Sequence, residues 1–258
     1  MPDFDTRVPH IARVYDYWLG GKDNFAADRE LGERTLQAYP NLVFSVRANR
    51  AFLARAVRFL AGEMGIRQFL DIGTGIPTAD NTHEVAQRVA PESRIVYVDN
   101  DPIVLSHAKA LLKSAPQGAC AYLDADLRQP GEILAAAADT LDFRAPVAVM
   151  LLTVLQFTGG EAGAIVKTLM AACAPGSFIA ISHPASDIDA GPHAEMVRRM
   201  NESMPQQVTL RDRAAVAALF DGLELAAPGV VRVPQWRPDN EIEAASPAVL
   251  WAGVARKP

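Results

Sequence analysis

Ten consecutive residues, Phe69-Leu70-Asp71-Ile72-Gly73-Thr74-Gly75-Ile76-Pro77-Thr78, constrain the fold of this chain more than any other stretch. An apolar run ends in a carboxylate and then breaks into two glycines one residue apart. That pattern reads as a buried parallel strand stopping at a tight turn that opens a helix. Glycine at 73 and 75 lets the backbone take conformations closed to other residues and approach a ligand with no Cβ in the way. Thr78 is placed to cap a helix over Ala79 to Ala90, because its hydroxyl can accept a free amide of the first turn. A Gly-x-Gly turn also occurs as a connection without a ligand, so the next strand matters. A nucleotide-binding unit carries, some 20 to 30 residues on, a second strand ending in an acid that takes ribose hydroxyls. Arg94-Ile95-Val96-Tyr97-Val98-Asp99-Asn100-Asp101-Pro102 meets that requirement.

A dinucleotide fingerprint requires Gly-x-Gly-x-x-Gly or Ala, and Thr78 stands at the third place. Asp71 also opposes a diphosphate, since like charges close together in a partly dry site cost several kcal/mol. A carboxylate-rich pocket suits S-adenosylmethionine, which has no phosphate and carries a sulfonium and an ammonium. Leu70-Asp71-Ile72-Gly73-Thr74-Gly75, Val96-Tyr97-Val98-Asp99 and Tyr122-Leu123-Asp124-Ala125-Asp126-Leu127 resemble the three cofactor motifs of class I S-adenosylmethionine-dependent methyltransferases. More narrowly, Ile11 to Asp28, with Tyr17-Trp18-Leu19-Gly20-Gly21-Lys22-Asp23-Asn24 at its centre, resembles an actinobacterial branch of that superfamily first catalogued as a domain of unknown function. Asp71 to Thr78 shares that narrower resemblance, which covers nearly the whole chain and implies fold and cofactor far more than substrate. Pro77 departs from the superfamily pattern, where many members have a third glycine, and it lacks an amide for the methionine carboxylate.

Taken in order, residues 1–64 read as a helical lid. Ile11, Val14, Tyr15, Trp18 and Leu19 share one face of an amphipathic helix that Gly20-Gly21 stops. Asp23 or Asn24 caps a second helix running to about Tyr39, and Pro40-Asn41 opens a third. Residues 65–258 alternate strands and helices, the signature of βαβ units. Strands are expected over Gln68 to Ile72, Arg94 to Val98, Ala119 to Leu123, Val147 to Leu152 and Ser177 to Ser182. Helices are expected over Ile103 to Lys113, Glu161 to Cys173 and Arg211 to Phe220, with Asp187 to His193 as a polar loop. Gly229 to Val233 and Val249 to Val254 read as a closing hairpin. The expected fold is α/β: a doubly wound, Rossmann-like, seven-stranded, mostly parallel sheet with a C-terminal antiparallel hairpin and an N-terminal helical lid.

Ligands of such sheets bind beyond the carboxyl ends of the strands. Asp71 would order the turn and face the positive end of the cofactor, with Gly73, Thr74 and Gly75 as the cradle. Asp99 would accept both ribose hydroxyls, Asn100 would flank the adenine, Asp126 would accept its exocyclic amine, and the Leu127 amide would donate to the ring. The resemblance further implies that Tyr17, Gly21 and Asn24 fold over the cofactor mouth and exclude water. Methyl transfer works largely by alignment, and a base is needed only for a protonated acceptor. The candidates are His183, Tyr15 and Tyr17.

A formal net charge of −5 with no basic run, and no Asn-Pro-Pro-Tyr-type element in Leu152 to Thr158, weigh against a nucleic-acid substrate. His183 and His193 with Asp187 and Asp189 match no metal motif, and Cys120 and Cys173 have no paired spacing, so no metal is expected. No signal peptide or membrane span is read, which makes cytoplasm the expected compartment; a monomer or homodimer is expected. The expectation is a methyltransferase acting on a small molecule, a secondary metabolite or its precursor. A lyase or cyclase releasing methylthioadenosine, and a non-catalytic cofactor-binding module, are the alternatives.

Overall fold

All five residues of Gln68–Ile72 are buried, so this strand must be covered on both faces of its sheet. The computed structural model describes residues 5–104, 106 and 114–258. Three helices come first, α1 (Ile11–Trp18), α2 (Ala26–Ala38) and α3 (Leu42–Arg58). The sheet then opens with β1 (Gln68–Ile72), α4 (Thr82–Val89), β2 (Arg94–Asp99) and β3 (Ala119–Asp124). It continues through α5 (Pro130–Ala137), β4 (Ala148–Leu152), α6 (Ala162–Ala172), β5 (Phe178–Pro184), α7 (Ala190–Ser203) and α8 (Arg213–Ala218). The short β6 (Glu224–Leu225), β7 (Val231–Arg232) and α9 (Glu241–Ala244) precede β8 (Leu250–Arg256).

The spatial order is β3-β2-β1-β4-β5-β8-β6, with β7 also on β8. β1 to β5 are parallel, and β8 runs antiparallel to β5, β6 and β7. The closing region thus splits into two short strands on one long one, and the sheet has eight strands. Successive side chains point to opposite faces. Phe69, Ile95, Tyr97 and Met150 pack with α3 and α4 on one face, and Leu70, Val96, Val98 and Val149 with α5, α6 and α8 on the other. Chain order reverses across the β1/β4 pair, which places the switch-point crevice beyond their carboxyl ends.

Three sequence expectations change. The helix after the glycine turn begins at Thr82, capped by Asn81 and not Thr78, because Asn81 and Glu84 form a reciprocal capping box. Asp80 takes a φ of 58°, a left-handed backbone that a right-handed helix cannot contain, so the helix cannot start at Ala79. Second, residues 190–203, expected to begin as a polar loop, form α7. Third, the expected cap divides. Val14, Trp18 and Leu31 of α1 and α2 share a small core with Met196, Val197 and Met200 of α7 and with Leu42 and Val46 at the start of α3, while Phe52, Ala56 and Val57 of α3 belong to the sheet core. The helix expected over Ile103 to Lys113 lies largely outside the described residues. Among the described residues, no helix is long and apolar enough to cross a membrane, and no group of three or more His, Cys, Asp or Glu is placed to hold a metal ion.

Candidate functional site

The carboxyl ends of β1, β2 and β4 open on a cavity of about 530 Å³, inside the ~300–1,000 Å³ range of small-molecule sites. Gly73 and Gly75 turn the chain with φ of +75° and +65°. A Cβ on Gly73 would overlap Val154 from the loop after β4, whereas one on Gly75 would meet no protein atom within 4 Å. The first glycine therefore lets two strand ends close on each other, and the second leaves bare backbone beside open space.

Asp71, Asp99 and Asp126 all line this cavity. Asp99 accepts the Gly75 amide at 2.9 Å through Oδ2 and the Asp101 amide at 3.0 Å through Oδ1, so the acid ending β2 also holds the turn ending β1. Burial raises its carboxyl above the ordinary value, opposed by those two amides. Asp71 accepts the Thr82 hydroxyl at 2.6 Å. Burial pushes its carboxyl up to about 6, with nearby Asp99 adding to the rise and the Thr82 bond and Arg50 opposing it. Asp126 accepts the Arg128 amide at 2.9 Å and pairs with its guanidinium at 2.5 Å, which lowers its carboxyl. Two buried carboxylates beside bare backbone fit a cationic ligand. A diphosphate would add charge of the wrong sign. Arg50, also on the cavity wall, can meet the carboxylate of an amino-acid moiety.

The N-terminal segment crosses this mouth, with His10, Ile11, Ala12 and Tyr15 in the wall. His10 Nδ1 lies 2.8 Å from Asp101 Oδ2, a tether between the start of α1 and the loop after β2. The Tyr15 hydroxyl donates to the Val46 carbonyl at 3.3 Å and accepts from Asn49 Nδ2 at 3.1 Å. Asn49 also donates to Thr153 Oγ1 at 3.1 Å and accepts the Ser182 hydroxyl at 2.6 Å. One buried amide thus joins α1, α3 and the ends of β4 and β5. Thr153 holds a φ of 51°, costly for a β-branched residue and characteristic of functional sites.

Of the residues expected at the site, the cavity wall contains Tyr15, Asp71, Gly73, Thr74, Gly75, Asp99, Asn100, Asp126 and Leu127. Tyr17, Gly21, Asn24 and His183 are not in it. Tyr17 lies against Gly32 of α2. Asn24 Nδ2 donates to Asp16 Oδ2 at 2.8 Å and to the Gly21 carbonyl at 3.1 Å, and a Cβ on Gly21 would collide with Asp16. These residues build the elbow between α1 and α2. His183 is fully buried, with Nδ1 on the Pro184 carbonyl at 3.0 Å and Nε2 accepting from Arg211 at 2.5 Å. Burial and the Arg211 charge push its imidazole down to about 4, against the Pro184 contact. Both nitrogens are occupied, so it is not placed to take a proton from a substrate. Burial raises the Tyr15 hydroxyl above its ordinary value, which keeps it protonated near neutral pH.

A family model described as S-adenosyl methyltransferase matches residues 1–258. A DUF574 family protein from Streptomyces avermitilis is 44% identical, with TM-score 0.94 over 98% of this chain and 99% of that one. A Thermobifida fusca protein with a provisional methyltransferase designation is 41% identical, with TM-score 0.91 over 99% and 97%. Human N-acetylserotonin methyltransferase in complex with S-adenosylmethionine, 17% identical, shares the fold at TM-score 0.51 over 97% of this chain and 63% of that one. No curated protein matches in sequence.

Proposed function

The chain belongs to the S-adenosyl methyltransferase family, and from that premise we propose that its acceptor is a small molecule held beneath α1. It is an S-adenosylmethionine-dependent methyltransferase with a Rossmann-like fold. The observation that carries the acceptor reading is the mouth itself. A cavity of about 530 Å³ is walled by α1 on one side and by the strand ends on the other, which suits a compact acceptor better than a duplex or a protein surface.

The cofactor supplies, when bound, a methyl group on a sulfonium whose charge already activates it for in-line displacement. The residues of this chain would bind and orient. Asp99, with its Gly75 bond, would receive ribose hydroxyls. Asp71 would face the cationic end, and Arg50 would meet the carboxylate that Pro77, without an amide, cannot. Asn100, Asp126 and Leu127 would flank the adenine. Tyr15, fixed by Asn49, would exclude water from the transfer path.

Incubating the full chain with S-adenosylmethionine and either a low-molecular-mass metabolite fraction or a macromolecular fraction tests this. S-adenosylhomocysteine should form with the first. Formation only with the second would overturn the small-molecule reading, and methylthioadenosine released from cofactor alone would identify cleavage instead of transfer.

A further inference from the structure

Behind the cofactor cavity lies a second chamber of about 90 Å³, sharing Ile11, Tyr15, Thr153 and Phe157 with it. The far wall is apolar and includes Trp18, Met196, Val197 and Met200. No Asp, Glu, Lys or Arg lines it among the described residues. Methionines give such a wall a shape that adapts to its occupant.

Of the polar side chains in this lining, Tyr15, Ser45 and Thr153 have protein partners, and Gln156 and His193 each keep an acceptor. Gln156 lines the chamber and is 93% buried, being 7% exposed. Its Nε2 donates to the Thr153 carbonyl at 2.6 Å, which sets the orientation of the amide. Its Oε1 is buried with no hydrogen-bond partner among the described residues. A buried acceptor without a partner, on a residue that lines the chamber, is costly unless something else donates to it. His193, also in the wall, places Nδ1 2.8 Å from the Ala185 carbonyl and stacks on Tyr39 at 5.7 Å. With Nδ1 donating, the neutral ring keeps Nε2 as an acceptor.

Resting on the methyltransferase reading above, we propose that this chamber holds the methyl acceptor: a neutral, mainly apolar compound with a hydroxyl or amine N–H donated to Gln156 Oε1. The shared wall of Ile11, Tyr15, Thr153 and Phe157 sets that compound beside the cofactor cavity. Specificity then lies in α7 and the loop after β4, outside the cofactor motifs.

Phenol and toluene, alike in size and different in one donor, are the probes, titrated into the full chain saturated with S-adenosylhomocysteine. Gln156→Met should lower the phenol-to-toluene affinity ratio about fivefold, the worth of one net hydrogen bond, and leave S-adenosylhomocysteine affinity unchanged. Val197→Trp, which fills the chamber, should weaken both probes at least about tenfold without affecting S-adenosylhomocysteine, and Met200→Trp gives the same readout where Val197→Trp does not fold. An unchanged ratio in Gln156→Met, or phenol binding undisturbed by a filled chamber, overturns the proposal. Failure of the unaltered chain to bind S-adenosylhomocysteine overturns the cofactor reading beneath it, which separates the two.

Discussion

The rim at the strand ends has two halves built from different ranges of sequence. Around β1 and β2 the contacts are short in sequence: Asp99 holds the Gly75 amide 24 residues away, and Asp71 takes the Thr82 hydroxyl 11 residues away. Around β4 and β5 they are long: Asn49 bonds Thr153 across 104 residues and Ser182 across 133. The β1/β2 half is a device that a single βαβ unit can carry, whereas the β4/β5 half exists only once the cap, α3 and the sheet have met. On the proposed reading, fold and cofactor can be inherited together while the acceptor changes through residues scattered along the chain.

The largest test of this contrast strikes the point where the halves touch. Gly73→Ala combines a left-handed backbone with an overlap on Val154, and should cost about 2–5 kcal/mol in urea unfolding. Adding Val154→Ala should return only part of the overlap cost, because the Cβ at 154 would still lie 2.7 Å from the new methyl, and should leave the backbone part.

Next comes the pH dependence of Asp71, whose carboxyl is pushed from 3.8 up to about 6. Between those values the folded chain holds a proton that the unfolded chain has lost, so this group's contribution falls as pH rises through the window. The fall should reach about 3 kcal/mol and level off above pH 6. Comparing urea midpoints of the unaltered chain and Asp71→Asn at pH 4 and pH 7 isolates it, because the variant lacks that loss.

Asp99→Ala should weaken S-adenosylmethionine binding by about 1.5–3 kcal/mol, the range for hydrogen bonds to a charged group. Unchanged affinity in a folded variant would remove the ribose assignment. Asn49→Ala strips partners from Tyr15, Thr153 and Ser182. It should lower stability by about 1–3 kcal/mol and disturb acceptor turnover more than cofactor affinity. The smallest expected effect is that of His183→Gln, which can still reach both neighbours and should leave cofactor affinity and turnover as they were.

Much of the β1/β2 half was legible in the residues. The five parallel strands follow from apolar runs, and the glycine turn and its acids from residue chemistry within each turn. Reading failed where two local signals competed. Thr78 is a sound cap, but Asn81 with Glu84 is a better one behind Pro77. Asp187 to His193 contains Gly191-Pro192 and looks like a loop. Yet proline is tolerated in a first helical turn, and His193, Met196, Val197 and Met200 fall at i, i+3, i+4 and i+7, the spacing that betrays α7. His183 looked like a base because it follows a strand, and Arg211, 28 residues on, is what occupies it.

By itself the sequence determined the parallel sheet, the glycine turn and the acids at its rim, because periodicity and turn chemistry act over a few residues, and its motifs carried the resemblance to the family. Only the tertiary structure decided which side chains face the cavity. Tyr15 and Tyr17 sit on one helix roughly 200° apart, so one faces the strand ends while the other packs on Gly32, and which one depends on where α2 and α7 dock. The proposed acceptor chamber has the same origin, since its walls come from α1, α3, α7 and the end of β4. Their meeting is a matter of packing that no local stretch encodes.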